Sequence, residues 1–285
     1  MNTQIQKVTY YIETHLDDEL ELEQLAKVAG YSPYHFCRIF KIHIGESALS
    51  YARRLKLERA AREMVQKEKN LIDIALDAGY KTPTGFLKAF KSRFGMTSTN
   101  YRIEAHIVHN KYKEIKMNTP QIITREDTLV VFIRELGEYG KSSQIAWEKL
   151  TKKFSTLIEK FEQRAPKTPM NISPEIGEAF GICYDDPKVT DEKNIRYEAA
   201  KSWNKEDIKE LENYDFETKT IAGGRYAKAF YKGESNGEDI WYALYAWIEE
   251  NGYECRNEPA FEKYLNGSTQ IDLEELEVEV HVPIQ

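Results

Sequence analysis

Two stretches of the sequence place basic and hydrogen-bonding side chains on one face of a predicted helix. Apolar residues recur every three or four positions in both stretches, at Phe36 and Phe40 and again at Phe86 and Phe90, and they define the buried face. Arginine and lysine on the opposite face can pair with guanine edges in the DNA major groove, and smaller groups can contact thymine methyls or phosphates. The outward residues are Tyr34, His35, Cys37, Arg38 and Lys41 in the first stretch, and Thr84, Leu87, Lys88 and Lys91 in the second.

The same helix boundaries flank both stretches, because residues 29–41 are echoed by residues 78–91. In each copy a glycine suited to a left-handed helix end is followed by a Ser or Thr N-cap and by a proline in the first helical turn. This order predicts helix, tight turn, helix, twice over. A hairpin used only for packing is the alternative for either copy alone, but two copies with basic outer faces favour DNA binding.

A long helix is predicted between the copies, from about Ala48 to Gln66. At about 1.5 Å per residue it is nearly 30 Å long. Successive major-groove faces on one side of B-DNA are about 34 Å apart. We therefore expect one chain to insert both reading helices without forming a dimer.

Charge and composition divide the chain into two parts. Its 285 residues suffice for two domains, and the net charge of −7 is unevenly spread. Residues 1–120 hold 19 Lys and Arg against 14 Asp and Glu, whereas the remainder holds 21 against 33. Three dispersed cysteines, six histidines without ligand spacing and no long apolar run predict a cytoplasmic protein with no metal, cofactor or membrane segment.

The C-terminal part reads as α+β after a linker over residues 106–120, where the helical pattern is lost before Pro120. Its order of strand, helix and two strands, followed by the same again, suggests a duplicated unit. We expect an all-α double helix-turn-helix domain over 1–105, the linker over 106–120 and the α+β domain over 121–285. The predicted strands are 121–136, 178–184, 195–201, 219–232, 259–265 and 276–282, and the predicted helices are about 143–164 and 237–251.

Aromatic residues are concentrated in this acidic half, which contains all four tryptophans. Most are expected in the core, but such a domain also suits an aromatic-walled pocket for a flat or cationic ligand, closed by a carboxylate. Glu262 is the best carboxylate candidate, since strand alternation places it on one face with Tyr264. A solvated strand glutamate is the alternative.

The N-terminal residues resemble the AraC/XylS transcription regulators over about residues 5–105. The resemblance implies two helix-turn-helix motifs joined by a long helix, with base-contacting positions at Tyr34, Cys37 and Arg38 and at Thr84, Leu87 and Lys88. Cys37 and Leu87 stand where polar base readers are frequent, so the operator sequence does not follow. The motifs that carry the resemblance are Leu25-Ala-x-x-Ala-Gly-Tyr31-Ser32, Phe36-x-Arg38-x-Phe40-Lys41, Ile74-Ala-x-x-x-Gly79-Tyr80, Phe86-x-x-x-Phe90-Lys91-x-x-Phe94-Gly95 and Tyr101-Arg102.

The C-terminal residues resemble the GyrI-like (gyrase-inhibitor-like) effector-binding domain over about residues 119–285. The resemblance implies paired βαββ units around a central cleft, with the ligand-contacting glutamate at Glu262. It implies aromatic walls at Tyr139, Trp147, Tyr226 and Tyr264, and Trp203 is a further candidate. The motifs that carry it are Gly181-Ile-Cys-Tyr184-x-Asp186-Pro187, Arg196-Tyr197-Glu198-Ala199, Gly223-Gly224-x-Tyr226-Ala227, Glu262-x-Tyr264-Leu265-Asn266 and Val280-x-Val282-Pro283.

Together the two halves predict a transcriptional regulator that binds double-stranded operator DNA and is controlled by a small aromatic or cationic effector. RNA polymerase is a further candidate partner. We expect no enzymatic activity, because the sequence lacks GxSxG, HExxH, Walker and GxGxxG motifs. The alternatives are a GyrI-like domain that hydrolyses a reactive toxin through a cleft glutamate and tyrosines, or one that binds another protein.

Overall fold

Helices form the N-terminal part of the chain in the computed structural model, which describes residues 3–66, 70–164, 177–203, 216–233, 237–266 and 273–285. Contacts between residues divide the chain into two units, Met1–His106 and Ile107–Gln285. The helices that begin in the first unit are α1 (Thr3–Thr14), α2 (Leu22–Ala29), α3 (Pro33–Ile44), α4 (Ala48–Gln66), α5 (Leu71–Asp77), α6 (Pro83–Phe94) and α7 (Ser98–Lys113).

The predicted helix boundaries explain where α3 and α6 begin. The side chains of Ser32 and Thr82 accept hydrogen bonds from the backbone N–H groups three residues later, at His35 and Gly85. A proline follows each cap and begins the helix, where its missing N–H group breaks no helical hydrogen bond. Gly30, with φ of 69°, ends α2 in the left-handed region that favours glycine. Two helix-turn-helix motifs are therefore present, joined by α4 over the predicted residues.

The phenylalanine stripes of α3 and α6 are buried as predicted. Phe36, Phe40, Phe86 and Phe90 have no exposed surface. Their rings meet in pairs 5.5 and 5.7 Å apart between centroids, and Tyr51 of α4 lies edge-on to Phe40. Burial of each ring contributes about 1.5–3 kcal/mol to folding. The stripes fix which face of each helix remains available to a ligand.

The second unit is built on an eight-stranded antiparallel sheet with strand order β1-β6-β8-β7-β3-β4-β2-β5. Each of two predicted strands, 121–136 and 219–232, is divided in two by a short turn. The elements are β1 (Gln121–Arg125), β2 (Thr128–Leu136), α8 (Tyr139–Arg164), β3 (Ala179–Cys183), β4 (Arg196–Ser202), β5 (Glu217–Ile221), β6 (Gly224–Lys232), α9 (Gly237–Glu250), β7 (Ala260–Tyr264) and β8 (Glu277–Pro283).

Two short connections curl this sheet. Residues 126–127 join an edge strand, β1, to β2 near the opposite edge, and residues 222–223 join the other edge strand, β5, to β6. The connections touch, because the Gly223 N–H group donates to Asp127 Oδ1 over 2.7 Å. A Cβ at Gly223 would lie 2.8 Å from the Arg125 carbonyl oxygen, so this close approach requires glycine.

The two faces of the sheet bury different clusters. On the helix-covered face, α8 packs against β2 and β4, and α9 packs against β6. The inner face, on the concave side of the curl, buries an aromatic cluster that includes Phe180, Tyr226 and Phe261. Alternation along each strand therefore decides on which side of the domain a residue lies.

Glu198 on the inner face is a charged group with no exposed surface. Arg134, directly opposite on β2, donates to its Oε1 through Nη2 at 2.7 Å and Nε at 2.8 Å. Tyr184 donates to Oε2 over 2.9 Å, and Lys219 forms an ion pair with the same oxygen. Burial raises the pKa of Glu198, but the two cations outweigh it and hold the pKa below the ordinary value.

Helix α7 is longer than the sequence pattern predicts. The pattern is lost from residue 106, yet the helix continues to Lys113. Tyr112 stacks on Tyr242 of α9 with ring centroids 4.7 Å apart, and the Lys188 ammonium lies 3.7 Å from the Tyr242 ring and 4.8 Å from the Tyr112 ring. Packing within the second unit thus stabilises the C-terminal end of α7, although its sequence shows no amphipathic pattern.

Candidate functional site

The outward face of α3 presents the polar residues that the sequence singled out. Tyr34, His35, Cys37, Arg38 and Lys41 are all exposed. The Arg38 guanidinium lies 4.9 Å from the centre of the Tyr34 ring. This cation–π contact orients the five N–H donors of the arginine while leaving them available to a ligand.

Helix α6 presents a second face of the same kind. Thr84, Leu87, Lys88 and Lys91 are exposed, while Phe86 and Phe90 on the other side are buried. The 19 residues of α4 separate the two motifs, a helix length of about 28 Å. One chain therefore offers two helices with basic outer faces, each fixed by its own capped turn.

Glu262 in the second unit is surrounded by hydrogen-bond donors. Tyr231 and Trp241 donate to its Oε1 at 2.8 and 2.9 Å, and Tyr264 donates to Oε2 at 2.8 Å. The donors come from β6, α9 and β7, so three elements converge on one carboxylate. Three donors from aromatic side chains fix the orientation of this negative charge within a largely apolar wall.

A second layer of aromatic residues extends the cluster towards α8. The hydroxyl oxygens of Tyr197 and Tyr264 lie 3.1 Å apart, and Trp147 donates to the Tyr197 hydroxyl over 2.9 Å. Tyr139 lies edge-on to Tyr197, with ring centroids 6.2 Å apart. The structure thus brings together four predicted residues, Glu262, Tyr264, Trp147 and Tyr139, through the unpredicted Tyr197.

Burial and the charge of Glu262 keep these groups protonated. Burial raises the pKa of Tyr231, Tyr197 and Tyr264, and the nearby carboxylate raises it further. The pKa of the Cys183 thiol is raised for the same two reasons. These residues are therefore hydrogen-bond donors rather than bases or thiolate nucleophiles at neutral pH. The arrangement suits recognition of a ligand by charge and ring stacking.

Two predicted pocket residues lie elsewhere. Tyr226 is on the inner face, 5.5 Å from Phe261 between ring centroids, and its hydroxyl donates to the Ala222 carbonyl. Because Phe261 and Glu262 are adjacent on a strand, they face opposite sides of the sheet, so the structure places Tyr226 on the face away from Glu262. Trp203 stacks on Phe154, two helical turns along α8 from Trp147, so it extends the packing of α8 rather than the group around Glu262.

The sequence prediction missed Tyr231, Trp241 and Tyr197, which contact Glu262 directly or through Tyr264. Alternation along β6 could have predicted the orientation of Tyr231, since this residue shares a face with Ala227 and Ala229 of the helix-covered cluster. Trp241 follows Ile240 of the buried stripe of α9, but only the packing of α9 on the sheet brings its indole to Glu262. Pairing of distant strands is not visible in a local pattern.

Gly181 on β3 is directly opposite Glu262, and a Cβ there would lie 2.5 Å from the Tyr197 hydroxyl oxygen and 2.7 Å from that of Tyr264. We expect Gly181→Ala to displace both rings and to destabilise the second unit by about 1–3 kcal/mol through overpacking. Urea unfolding followed by tryptophan fluorescence measures this, since all four tryptophans lie in that unit.

The matched control is Gly140→Ala in α8, where an added Cβ meets no atom within 4 Å. Its stability should be unchanged or slightly increased, because alanine favours a helix. Equal stability of the Gly181→Ala protein and the wild type would contradict the tight packing described around Glu262.

In the ranges that the structure describes, no group of three His, Cys, Asp or Glu side chains is placed to hold a metal ion. Within the same ranges no helix combines the length and apolar character needed to cross a bilayer.

Both halves of the chain match known protein families. A family model described as the GyrI-like small molecule binding domain matches residues 118–285, and a helix-turn-helix domain model matches residues 25–103. The fold and the two sites thus define a two-domain chain, with a helix-turn-helix unit followed by a small molecule binding unit. The chain belongs to the GyrI-like family, and its N-terminal unit is an AraC-type helix-turn-helix domain.

Individual relatives match one half each. The regulatory protein SoxS of Escherichia coli (strain K12) is 33% identical over 98 residues, which are 34% of this chain and 92% of SoxS. The HTH-type transcriptional regulator YbfP of Bacillus subtilis is 34% identical over 98 residues, and the match spans 34% of this chain and only 33% of YbfP. The crystal structure of the EcmrR C-terminal domain is 17% identical, with a TM-score of 0.41, and covers 59% of this chain and 97% of that chain.

Proposed function

We propose that this protein is a transcriptional regulator that binds duplex operator DNA through α3 and α6 and responds to a small molecule bound beside Glu262. Two capped helices with exposed basic faces, joined by a single helix of 19 residues, are the observation that carries this proposal. Arg38, Lys88 and the other outward residues of α3 and α6 would contact bases and phosphates. Contacts of this kind are those by which helix-turn-helix proteins read the major groove.

The effector that fits the second unit is a flat aromatic molecule, preferably a cation. A cation beside Glu262 would offset the carboxylate charge and stack on Tyr231, Trp241 or Tyr264. Tyr231 also lines a surface cleft of about 450 Å³ together with Ile115 and Met117. In this proposal a ligand approaches through the cleft and reaches Tyr231, which donates a hydrogen bond to Glu262.

A binding-site selection with purified full-length protein and random duplex DNA tests the DNA half of the proposal. We expect an enriched site with two conserved segments about one helical turn apart, one for each reading helix. Failure to enrich any sequence would reject the regulator function. If a sequence is enriched, its occurrences in the source genome can be located, and the genes beside them would suggest the effector.

Glu262→Gln tests the effector half. N-methylacridinium is a flat aromatic cation, and acridine kept unprotonated is its neutral counterpart. We expect the substitution to weaken binding of the cation about tenfold or more and to leave binding of neutral acridine nearly unchanged, because only the cation gains from the carboxylate charge. Isothermal titration calorimetry of both ligands with both proteins measures the difference.

Glu277→Gln is the control. Val278 and Val280 of β8 point to the helix-covered face, and strand alternation places Glu277 on the other face. Its cation affinity should equal that of the wild type. Equal losses for the cation and neutral acridine, or no loss for either, would remove Glu262 from the site. The hydrolase alternative requires a ligand with a hydrolysable bond, so release of the phenol from an activated phenyl ester by the wild type, and its loss in Glu262→Gln, would support that alternative instead.

Three finer assignments accompany this function. We infer that residues 1–105 bind DNA, that 106–120 link the domains and that 121–285 bind the effector. We also infer that the second domain is a duplicated βαββ unit, because β2-α8-β3-β4 and β6-α9-β7-β8 repeat one order and the sheet order is symmetric about the β3–β7 pair. RNA polymerase is a further inferred partner, and its retention on the enriched operator only in the presence of this protein would support it.

A further inference from the structure

Glu58, in the middle of α4, is a carboxylate buried between the two helix-turn-helix motifs. Its side chain is 2% exposed. Arg54, one turn earlier on α4, donates through Nη1 to both carboxylate oxygens at 3.2 and 3.3 Å. Arg93, in the last turn of α6, donates through Nη2 to Oε1 at 2.9 Å. One carboxylate therefore connects the long helix to the second reading helix.

The same chain of ion pairs continues to the first motif. Arg54 is 9% exposed, and its Nε donates over 2.8 Å to Glu46, which follows α3 by two residues. Burial lowers the pKa of Arg54, but Glu58 and Glu46 raise it above its ordinary value, so the guanidinium stays charged. We name Glu46, Arg54, Glu58 and Arg93 the bracing quartet, a neutral series of alternating charges that runs from the end of α3 to the end of α6.

Stability alone is a weak explanation for this quartet. Desolvation of charged groups often cancels their attraction, and apolar residues of similar volume commonly serve as well or better. Hydrogen-bonded ion pairs are directional, whereas apolar side chains can slide past one another. A buried polar contact is best attested as a device that selects one register among several.

We propose that the bracing quartet is a positioning device that fixes α3 relative to α6, and thereby sets the length of DNA between the two segments that the protein reads. The inference rests on the proposed operator binding and extends it to spacing. None of the four residues has to touch DNA. Their effect is to make the two motifs one rigid body, so that the second helix enters its groove without a further loss of freedom.

The expected result is a selective loss of spacing discrimination in Glu58→Gln. One inserted base pair moves the two DNA segments apart by about 3.4 Å and rotates them by about 34°. We expect the insertion to weaken binding of the wild type about thirtyfold or more and that of the variant less than fivefold. On the original duplex the variant should bind about tenfold more weakly than the wild type. On duplexes with one segment scrambled, the two proteins should bind equally.

The experiment uses the full-length chain and the duplex enriched from random DNA, with fluorescence anisotropy as the measurement. Glu13→Gln is the matched control, because Glu13 accepts a hydrogen bond from Tyr51 of α4 over 2.6 Å but lies on α1, outside the quartet. Its spacing discrimination should equal that of the wild type. Arg93→Gln breaks the same connection from the α6 side and should behave like Glu58→Gln.

Several results would overturn the inference. Full spacing discrimination in both Glu58→Gln and Arg93→Gln would show that the quartet does not set the spacing, while leaving operator binding intact. An equal loss on intact and half-scrambled duplexes would show a general structural role. If the enriched duplex has only one conserved segment, there is no spacing for the quartet to set, and this inference is rejected. If no duplex is enriched, both this inference and the proposed function are rejected.

Discussion

Replacing Glu198 by alanine should destabilise the second unit by about 3–5 kcal/mol, because the buried Arg134 and Lys219 then lose the negative charge of this carboxylate. The arginine donates two hydrogen bonds to this carboxylate, and the carboxylate has no exposed surface. Urea unfolding followed by tryptophan fluorescence reports the loss, because all four tryptophans lie in this unit.

The loss should also depend on pH. The pKa of Glu198 is held below its ordinary value in the folded protein, so its ionic contribution is present above the unfolded-state pKa of about 4.3 and is lost as the pH falls through the folded-state pKa. The gap between wild type and variant should therefore narrow in acid. Glu135→Ala is the control, since Glu135 pairs with the exposed Lys149 and should cost less than about 1 kcal/mol. A similar small cost for Glu198→Ala would contradict the buried network.

Replacing Arg38 by alanine should weaken binding to the enriched operator by about 1–3 kcal/mol and relax the preference at one base position. Arg38 is exposed on α3 and held over the Tyr34 ring, where its guanidinium can meet a guanine edge. Fluorescence anisotropy with the enriched duplex and its single-base variants measures both effects. Wild-type affinity for the enriched duplex would remove Arg38 from the interface.

Lys41→Ala and Lys91→Ala provide the contrast. These lysines are exposed beyond the proposed base-reading positions, so we expect each to act on phosphate. Their loss should weaken binding to enriched and random DNA alike and should reduce the salt dependence by about one counterion. Arg38→Ala should change specificity more than salt dependence, so the three variants separate base reading from phosphate contact.

Local signals predicted most of the fold. Ser32-Pro33 and Thr82-Pro83 define their turns within a few residues, and the strand alternation of Val278, Val280 and Val282 follows from the sequence directly. These features depend on residues close in sequence, whose caps and periodicity act through the local backbone. The C-terminal end of α7 was not predicted. It is stabilised by the packing of Tyr112 on Tyr242 of α9, which is more than 100 residues away in the sequence.

The candidate effector site was only partly predictable. Glu262 and Tyr264 share a strand, so alternation places them together. Tyr231 and Trp241 reach the same carboxylate from other elements, and Tyr226 lies on the opposite face of the sheet. Strand pairing and curvature depend on residues distant in sequence, and they decided which aromatic side chains reach Glu262.

The crossing connections of the sheet have a consequence for the order of folding. Gln121 of β1 pairs with Lys228 of β6, so an edge of the sheet forms only after more than 100 further residues have been synthesised. Contacts in the first unit join residues much closer in sequence, such as Glu58 and Arg93. Chains with local contacts fold faster than chains with distant strand pairing. On the ribosome, the helical unit should therefore reach its native state before the sheet can close.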